Sequence, residues 1–434
     1  MLLIFSLLFY AWGEPVYVLL MAFTTLVCYI CARMIAKGRN VRLSTAVAVI
    51  WGIGTLVAFK YTGFLVQSFN SLTHLAVPVP NIALPVGISF FTFQAISYVL
   101  DVKRGDAEAA ASYADVLLYI SLFPQLIAGP IVRYSDVAAE IKQRTVTTED
   151  IAAGLRRFCF GMGKKVLIAN TLAHTADKVF ALDGAAINAP IAWLGAVCYL
   201  MQIYFDFSGY SDMAIGLGRA FGFTFRENFM YPYCAASMQD FWRKWHISLS
   251  TWFKEYVYIP LGGNRRGKLR TGLNKLIVFL LTGLWHGASW NFAVWGLYHG
   301  AFLMAESYGA LKPNRWPKAL RHIYTVIAVT VGFVIFRAET LGQAWLIISK
   351  MFTGWTFDAA LGAQLSLLLS PLCSAALIAS VFASMPYASS IASWYTVNRP
   401  RFGYAVYLAA FALFVVCIAC LSTASYNPFI YFRF

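Results

Sequence analysis

The segment TGLWHGASWNFAVWGLYHG, from Thr282 to Gly300, sets two histidines, His286 and His299, among residues that are nearly all apolar, aromatic or glycine. An ionisable side chain in such a setting is costly and therefore points to function. An imidazole with a pKa near 6.5 is suited to take a proton at neutral pH. His286 stands between Trp285, which can wall off water, and Gly287, where another backbone or a substrate can approach closely. A core histidine bonded to a neighbouring helix would explain it as well. On one continuous helix His286 and His299 would lie about 20 Å apart along the axis and about 140° apart around it. Without a break they cannot serve one atom, so each has its own role or one is structural.

A third histidine, His246, lies in QDFWRKWHISLSTWFKEYVYIPL, Gln239 to Leu261. With Trp242 as origin and about 100° per residue, Phe241, Trp245, Leu249, Trp252, Phe253 and Tyr256 fall between about 260° and 20°. Asp240, Arg243, Lys244, Lys254 and Glu255 fall opposite, between about 100° and 220°. Ile247 is the one clear violation. The spacing predicts an amphipathic helix, or two shorter ones in phase, with His246 on the shoulder of the apolar face and pointing inward. His74, His174 and His322 read as loop or interface residues.

Two further polar runs lie in or beside apolar segments. YFDFSGYSDMAIG brings Asp206, Ser208, Ser211 and Asp212 into a membrane-like run, and FPQLIAGPIVRYSD carries Gln125 and Arg133. Either could break a helix and line a cavity, where irregular backbone is tolerated at membrane depth. Polar packing between helices explains them equally well.

The elements that must position these residues follow from composition. Of 434 residues 60% are hydrophobic, 17% aromatic and only 12% charged, against roughly 25% charged in an ordinary soluble domain. The net charge of +15 is spread between apolar segments rather than gathered in one stripe, which fits loops and headgroup-facing ends and argues against nucleic-acid binding. Apolar runs long enough to cross a bilayer are Val16–Ala36, Leu43–Phe69, Tyr113–Val132, Ala189–Gly216, Leu276–Glu306, Ile323–Phe336, Leu361–Phe382 and Ala405–Leu421. Met1–Trp12 has no basic start or Ala-x-Ala site and reads as half a spanning helix rather than a cleaved leader. Roughly eight to eleven transmembrane segments are expected. Val146–Val179 opens on a helix-start pattern, Thr147 with Asp150, and fits an interfacial helix. LGGNRRGKLR after Pro260 is a basic turn, either a plain loop or a collar facing phosphates. Cys28/Cys31 and Cys417/Cys420 sit in apolar helical runs and read as small hydrophobes, not metal ligands or disulfides.

Together LWHGASWNFAVWGLYHG, YFDFSGYSDMAIGLGRAFGFTFRENFMYPY and FWRKWHISLSTWFKEYVYIPLGGNRRG resemble the membrane-bound O-acyltransferase family, in its alginate O-acetyltransferase-like branch, related to teichoic-acid D-alanyl transfer proteins. The likeness covers nearly the whole chain. It implies an all-α polytopic membrane protein, one integral domain over residues 1–434, with interfacial or re-entrant helices around a central tunnel. It makes His286 the expected catalytic residue, and His246 the second, at a position where relatives carry Asn, Asp or His. Trp285, Asp206, Ser208, Asp212, Gln125, Arg243, Trp245 and Asn291 are expected to line the tunnel or substrate path. His299 has no family role to carry over. Relatives have another apolar helix before LLIFSLLFYAWGEP, so either the true start lies upstream or this member dispenses with it. At the other end, FIYFRF resembles the C-terminal motif of small membrane peptides of the D-alanylation system, which makes Tyr431 a possible acyl carrier; an aromatic membrane anchor is the plainer reading.

The resemblance implies an O-acyltransferase of the bacterial cytoplasmic (inner) membrane. It would move an acyl group, acetyl first among them, from a cytosolic thioester such as acetyl-CoA for O-acetylation of an extracytoplasmic polysaccharide such as alginate. No bound cofactor or metal is expected; membrane lipids and an extracytoplasmic acetyltransferase are the expected partners. D-alanyl transfer, a transporter and an export-complex scaffold are the rival readings.

Overall fold

In hydrocarbon every backbone N–H and C=O must be satisfied within the protein, so a chain of this composition has few options besides helix. A computed structural model describes residues 1–127, 129–387, 400–423 and Phe429. All regular structure among the described residues is helical. The chain divides into two compact units, Met1–Leu155 with Ala214–Glu227, and Arg156–Met213 with Asn228–Phe434.

The first unit holds α1 (Leu2–Gly13), α2 (Tyr17–Ala36), α3 (Val41–Leu56), α4 (Thr62–Thr73), α5 (Ile88–Arg104), α6 (Tyr113–Ser121), α7 (Tyr134–Lys142) and the start of α8 (Thr148–Gly163). A π-helical turn, Val57–Tyr61, joins α3 to α4. Helix α5 escaped the hydropathy reading because Ser89, Thr92, Gln94, Ser97 and Asp101 interrupt it, yet nearly all of it is buried. Its polar residues face protein, not lipid. Gly52 of α3 lets α5 come close: a Cβ there would meet Ile96 at 2.8 Å. The expected helix start at Thr147 is a reciprocal cap: Thr147 Oγ1 accepts from the Asp150 N–H at 3.1 Å, and the Asp150 carboxylate accepts from Thr147 Oγ1 at 2.7 Å.

The second unit contains α9 (Asn170–Phe180), most of α10 (Ala189–Ala220), α11 (Met238–Lys244), α12 (Ile247–Phe253), α13 (Gly267–His286), α14 (Trp290–Tyr308), α15 (Lys318–Arg337), α16 (Leu341–Phe352), α17 (Ala359–Leu368), α18 (Pro371–Ala383) and α19 (Pro400–Thr423). Among the described residues five helical stretches are long and apolar enough to cross a membrane, and six if α17 and α18, bent by 76°, count as one broken span. Three expected spans are differently built. Tyr113–Val132 is helical only to Ser121, Leu276–Glu306 is a helical hairpin broken at 287–289, and Leu361–Phe382 breaks between Leu368 and Pro371.

Candidate active site

Backbone breaks position both histidines of interest. Helix α11 begins at Ser237, whose hydroxyl accepts from the Asp240 N–H at 3.0 Å. Glu306 of α14 reaches the same helix start and accepts from the Met238 and Gln239 N–H groups at 2.8 and 3.0 Å, the charge a helix N-terminus favours. The helix stops at Lys244, and His246 takes a left-handed backbone conformation (φ 45°, ψ 55°) before α12 starts. The two shorter helices are therefore not one continuous wheel, and Ile247, the violation in the periodicity, sits where the phase is interrupted. The segment after α10 holds the break from both sides: Met230 N–H donates to Lys244 C=O and Ile247 N–H to Asn228 C=O, each at 3.0 Å.

His286 is the last residue of α13, and Gly287–Ser289 turn the chain into α14. The hairpin is close because glycine lies at its contacts: a Cβ on Gly283 would stand 2.1 Å from the Phe292 carbonyl oxygen, and one on Gly296 2.2 Å from that of Phe279. At Gly287 the close neighbour is the Phe292 ring, 2.0 Å from where a Cβ would be.

The break overturns the single-helix premise for His286 and His299. They come much nearer than a straight helix allows, since both pack on the Trp295 ring, whose centroid is 5.2 Å from His286 and 4.9 Å from His299. They still do not meet. His286 instead faces His246, with ring centroids 6.4 Å apart. Trp285 lies 5.9 Å from His246 and 5.0 Å from His286. Phe207 stands edge-on to His246 at 4.6 Å, and Phe336 closes on His286 at 5.2 Å. Both histidines are buried, His246 wholly so. Burial holds the His246 imidazole well below the usual histidine pKa. His246 also heads α12, where positive charge is disfavoured, whereas His286 ends α13, whose carbonyl end stabilises an imidazolium forming there.

Other expected residues fall into three groups. Trp245 packs with Phe229 and Phe241, at 5.1 and 5.5 Å, in the same aromatic wall. Asp206, Ser208 and Asp212 share α10, but the two carboxylates are engaged: Asp206 with Lys165, and Asp212 with Arg157 at 2.7 Å and Lys164 at 2.6 Å. Glycines allow that pairing, since a Cβ on Gly161 of α8 would stand 2.6 Å from the Gly209 carbonyl oxygen. Asn291 ties α14 to the end of α15 by donating to Ala338 C=O at 2.6 Å. Gln125 belongs to the first unit and donates to Tyr119 C=O at 2.6 Å. Arg243 is exposed, while Trp242 and Trp245 on either side are buried. Tyr431 lies outside the described residues; Phe429, two positions before it, is buried against Tyr210 and Phe207 at 4.9 and 5.9 Å.

A family profile described as MBOAT, membrane-bound O-acyltransferase, matches residues 7–338. The chain belongs to the membrane-bound O-acyltransferase family. It is 41% identical to the probable alginate O-acetylase AlgI of Azotobacter vinelandii, over 100% of this chain and 94% of the relative. It is 38% identical to a peptidoglycan O-acetyltransferase of Helicobacter pylori, over 81% of this chain and 73% of the relative, and 28% identical to a teichoic acid D-alanyltransferase of Bacillus subtilis, over 66% and 77%. The protein is thus a multi-pass membrane O-acyltransferase.

Sequence reasoning passed over Asn228, although its motif RENFMYPY was part of the resemblance. Its side-chain Oδ1 lies 3.3 Å from His246 Nδ1 and accepts from Ser248 N–H at 3.1 Å and Ser248 Oγ at 3.0 Å. The available signal was a buried-type polar residue heading an aromatic run, eighteen positions before the histidine it touches.

Proposed function

We propose that this O-acyltransferase takes an acyl group, acetyl in the first instance, from a cytosolic thioester such as acetyl-CoA and delivers it across the bacterial cytoplasmic membrane for O-acetylation of an extracytoplasmic polysaccharide, with alginate the leading acceptor. The observation that carries the reading is the meeting of His286 and His246, from two distant segments, inside an aromatic wall. The names of the relatives support the acetyl group and the polymer class.

In this reading His286 takes the proton of the acceptor hydroxyl as its oxygen attacks the thioester carbonyl. A C–O bond forms, the C–S bond breaks, and the proton passes to the departing thiolate. The low-dielectric aromatic surroundings exclude water that would otherwise hydrolyse the thioester. His246 orients the substrate beside it. The basic turn after Pro260 is suited to phosphates of the donor. An extracytoplasmic acetyltransferase completes transfer to the polymer, with Tyr431 the proposed carrier between them. A phenyl ester keeps transfer potential because a phenol, pKa about 10, leaves more readily than an alkyl alcohol.

The test is labelled-acetyl transfer by purified protein and polymer acetylation in cells. His286→Ala is expected to abolish both at unchanged protein level; normal acetylation would overturn the reading. Intact acetylation in Tyr431→Phe would remove Tyr431 as an obligatory carrier. Transfer of D-alanyl but not acetyl from the corresponding thioesters would favour the D-alanyl reading instead.

A further inference from the structure

Asn228 does more than close the turn before α12. A backbone N–H can only donate, so the atom of Asn228 facing Ser248 N–H at 3.1 Å has to be its carbonyl oxygen. That settles the amide's orientation from a donor whose identity is beyond dispute. The same oxygen lies 3.3 Å from His246 Nδ1. An oxygen lone pair there attracts an Nδ1–H and repels an Nδ1 lone pair, so the imidazole carries its hydrogen on Nδ1. In the neutral ring Nε2 then holds the lone pair.

We infer that Asn228 is a positioning residue that fixes His246 as the Nδ1–H tautomer, so that His246 serves the acyl transfer as a hydrogen-bond acceptor through Nε2. The inference rests on the reaction centre proposed above and assigns its second histidine a definite role. A ring in this tautomer cannot donate from Nε2 to a developing oxyanion, one of the two roles open to a neutral histidine beside a thioester. It can hold an N–H or O–H group of the substrate, which leaves proton removal to His286 at the carbonyl end of α13. Three observations agree. Asn228 is itself buried. Its backbone carbonyl and side-chain oxygen together bind Ile247 and Ser248, so the turn and the tautomer are set by one residue. His246 also keeps a left-handed backbone that glycine would adopt more easily, so its side chain is what the position requires.

Among the described residues, α10 presents Phe207 to His246, the preceding segment Asn228 and Phe229, and α13 Trp285 and His286. His286 is a titratable neighbour among them, while Asp206, next to Phe207, is engaged with Lys165. Asn228→Asp keeps an oxygen acceptor for both Ser248 donors and places a carboxylate on Nδ1. A carboxylate at this range favours the imidazolium and raises a histidine pKa by about 1–3. Below that raised pKa Nε2 carries a hydrogen and the acceptor is lost.

In purified Asn228→Asp the titration midpoint of His246, followed by nitrogen-15 spectra, is therefore expected to move upward by about 1–3 pH units, with activity falling where the imidazolium dominates. A His246 midpoint unchanged from wild type in this variant would mean that the side chain at 228 does not bear on Nδ1, and would overturn the inference. Nitrogen-15 spectra of wild-type protein labelled in its histidines, with His246 assigned by comparison with His246→Gln, give a reading independent of activity and of any variant's folding at position 228. A protonated Nδ1 and bare Nε2 support the assignment; a protonated Nε2 refutes it. The tautomer result stands whether or not His286→Ala abolishes transfer, so failure of this inference is distinct from failure of the proposed function.

Discussion

The α13–α14 hairpin gives the sharpest quantitative expectation. Gly283 lies one turn before His286, and a Cβ there would sit 2.1 Å from the Phe292 carbonyl oxygen and 3.1 Å from the Gly296 Cα. Carbon and carbonyl oxygen settle at about 3.3 Å at helix interfaces, so Gly283→Ala must open the hairpin by about 1.2 Å. That movement draws His286 off the Trp295 and Phe336 rings and changes its approach to His246. Misplacement of a catalytic group by about 1 Å costs about a hundredfold in rate, or about 2.7 kcal/mol on the barrier. Overpacking costs about 1–3 kcal/mol of stability besides. The assay is labelled-acyl transfer by detergent-purified protein, with thermal unfolding followed on the same preparations. Gly54→Ala, where a Cβ meets nothing within 4 Å, controls for added helix propensity and is expected to match wild type. A Gly283→Ala protein with wild-type kcat and unchanged unfolding temperature would refute the claim that this contact sets the position of His286.

Three further outcomes follow from the same geometry. His299 is fully buried between Trp242, Trp295 and Tyr298, and neither ring nitrogen finds a hydrogen-bond partner among the described residues; His299→Phe is expected to keep transfer activity and to unfold no earlier than wild type, and loss of activity in a well-folded variant would return His299 to the chemistry. Asp206→Ala leaves Lys165 with its charge near-buried, at a cost of about 3–5 kcal/mol, whereas Asp206→Ala with Lys165→Ala together recovers part of it; denaturation of the single and double variants measures this, and equal losses would argue against the pairing. Thr147→Ala removes the acceptor of the Asp150 N–H and should lower stability by about 1 kcal/mol without touching kcat.

Much of the arrangement was readable in the residues, but not for uniform reasons. The inward-facing aromatic stripe from Phe241 to Tyr256 and the buried place of His246 followed from periodicity, since Phe241, Trp245, Leu249, Trp252, Phe253 and Tyr256 are all buried. The break at His246 did not, because a left-handed histidine has no local sequence cue comparable to glycine; the discord of Ile247 was its one trace. The hairpin break after His286 had a cue in Gly287 and in Ser289 ahead of Trp290, a helix-start residue type, outweighed by the length of the apolar run. Helix α5 was invisible to hydropathy because helices enclosed by protein need no apolar surface all round. Asn228 was hidden for a different reason. Its importance lies in which atom of a distant histidine it touches, and only coordinates carry that.

His299 and the other two buried histidines differ in how the backbone presents them, and that difference bears on the proposed chemistry. His299 lies within α14, fixed by rings on several sides, with Gly332 closely packed on Nε2 so that a Cβ there would approach to 2.6 Å. His286 and His246 stand where helices stop. A helix break inside a protein interior leaves backbone groups that must find partners there; here Gly287 N–H donates to Gly283 C=O, Ile247 N–H to Asn228 C=O and Ser250 N–H to His246 C=O. With those groups satisfied, the chain can end one helix, present a side chain and start the next at little cost in hydrogen bonds. The remaining cost is the left-handed backbone at 246, about 1–2 kcal/mol for a residue with a Cβ. A glycine there would relieve the strain and close the same turn. A histidine holds the position despite that strain, and the ring's surroundings, an amide oxygen on one nitrogen and His286 6.4 Å from its centre, are those the proposed acceptor role requires.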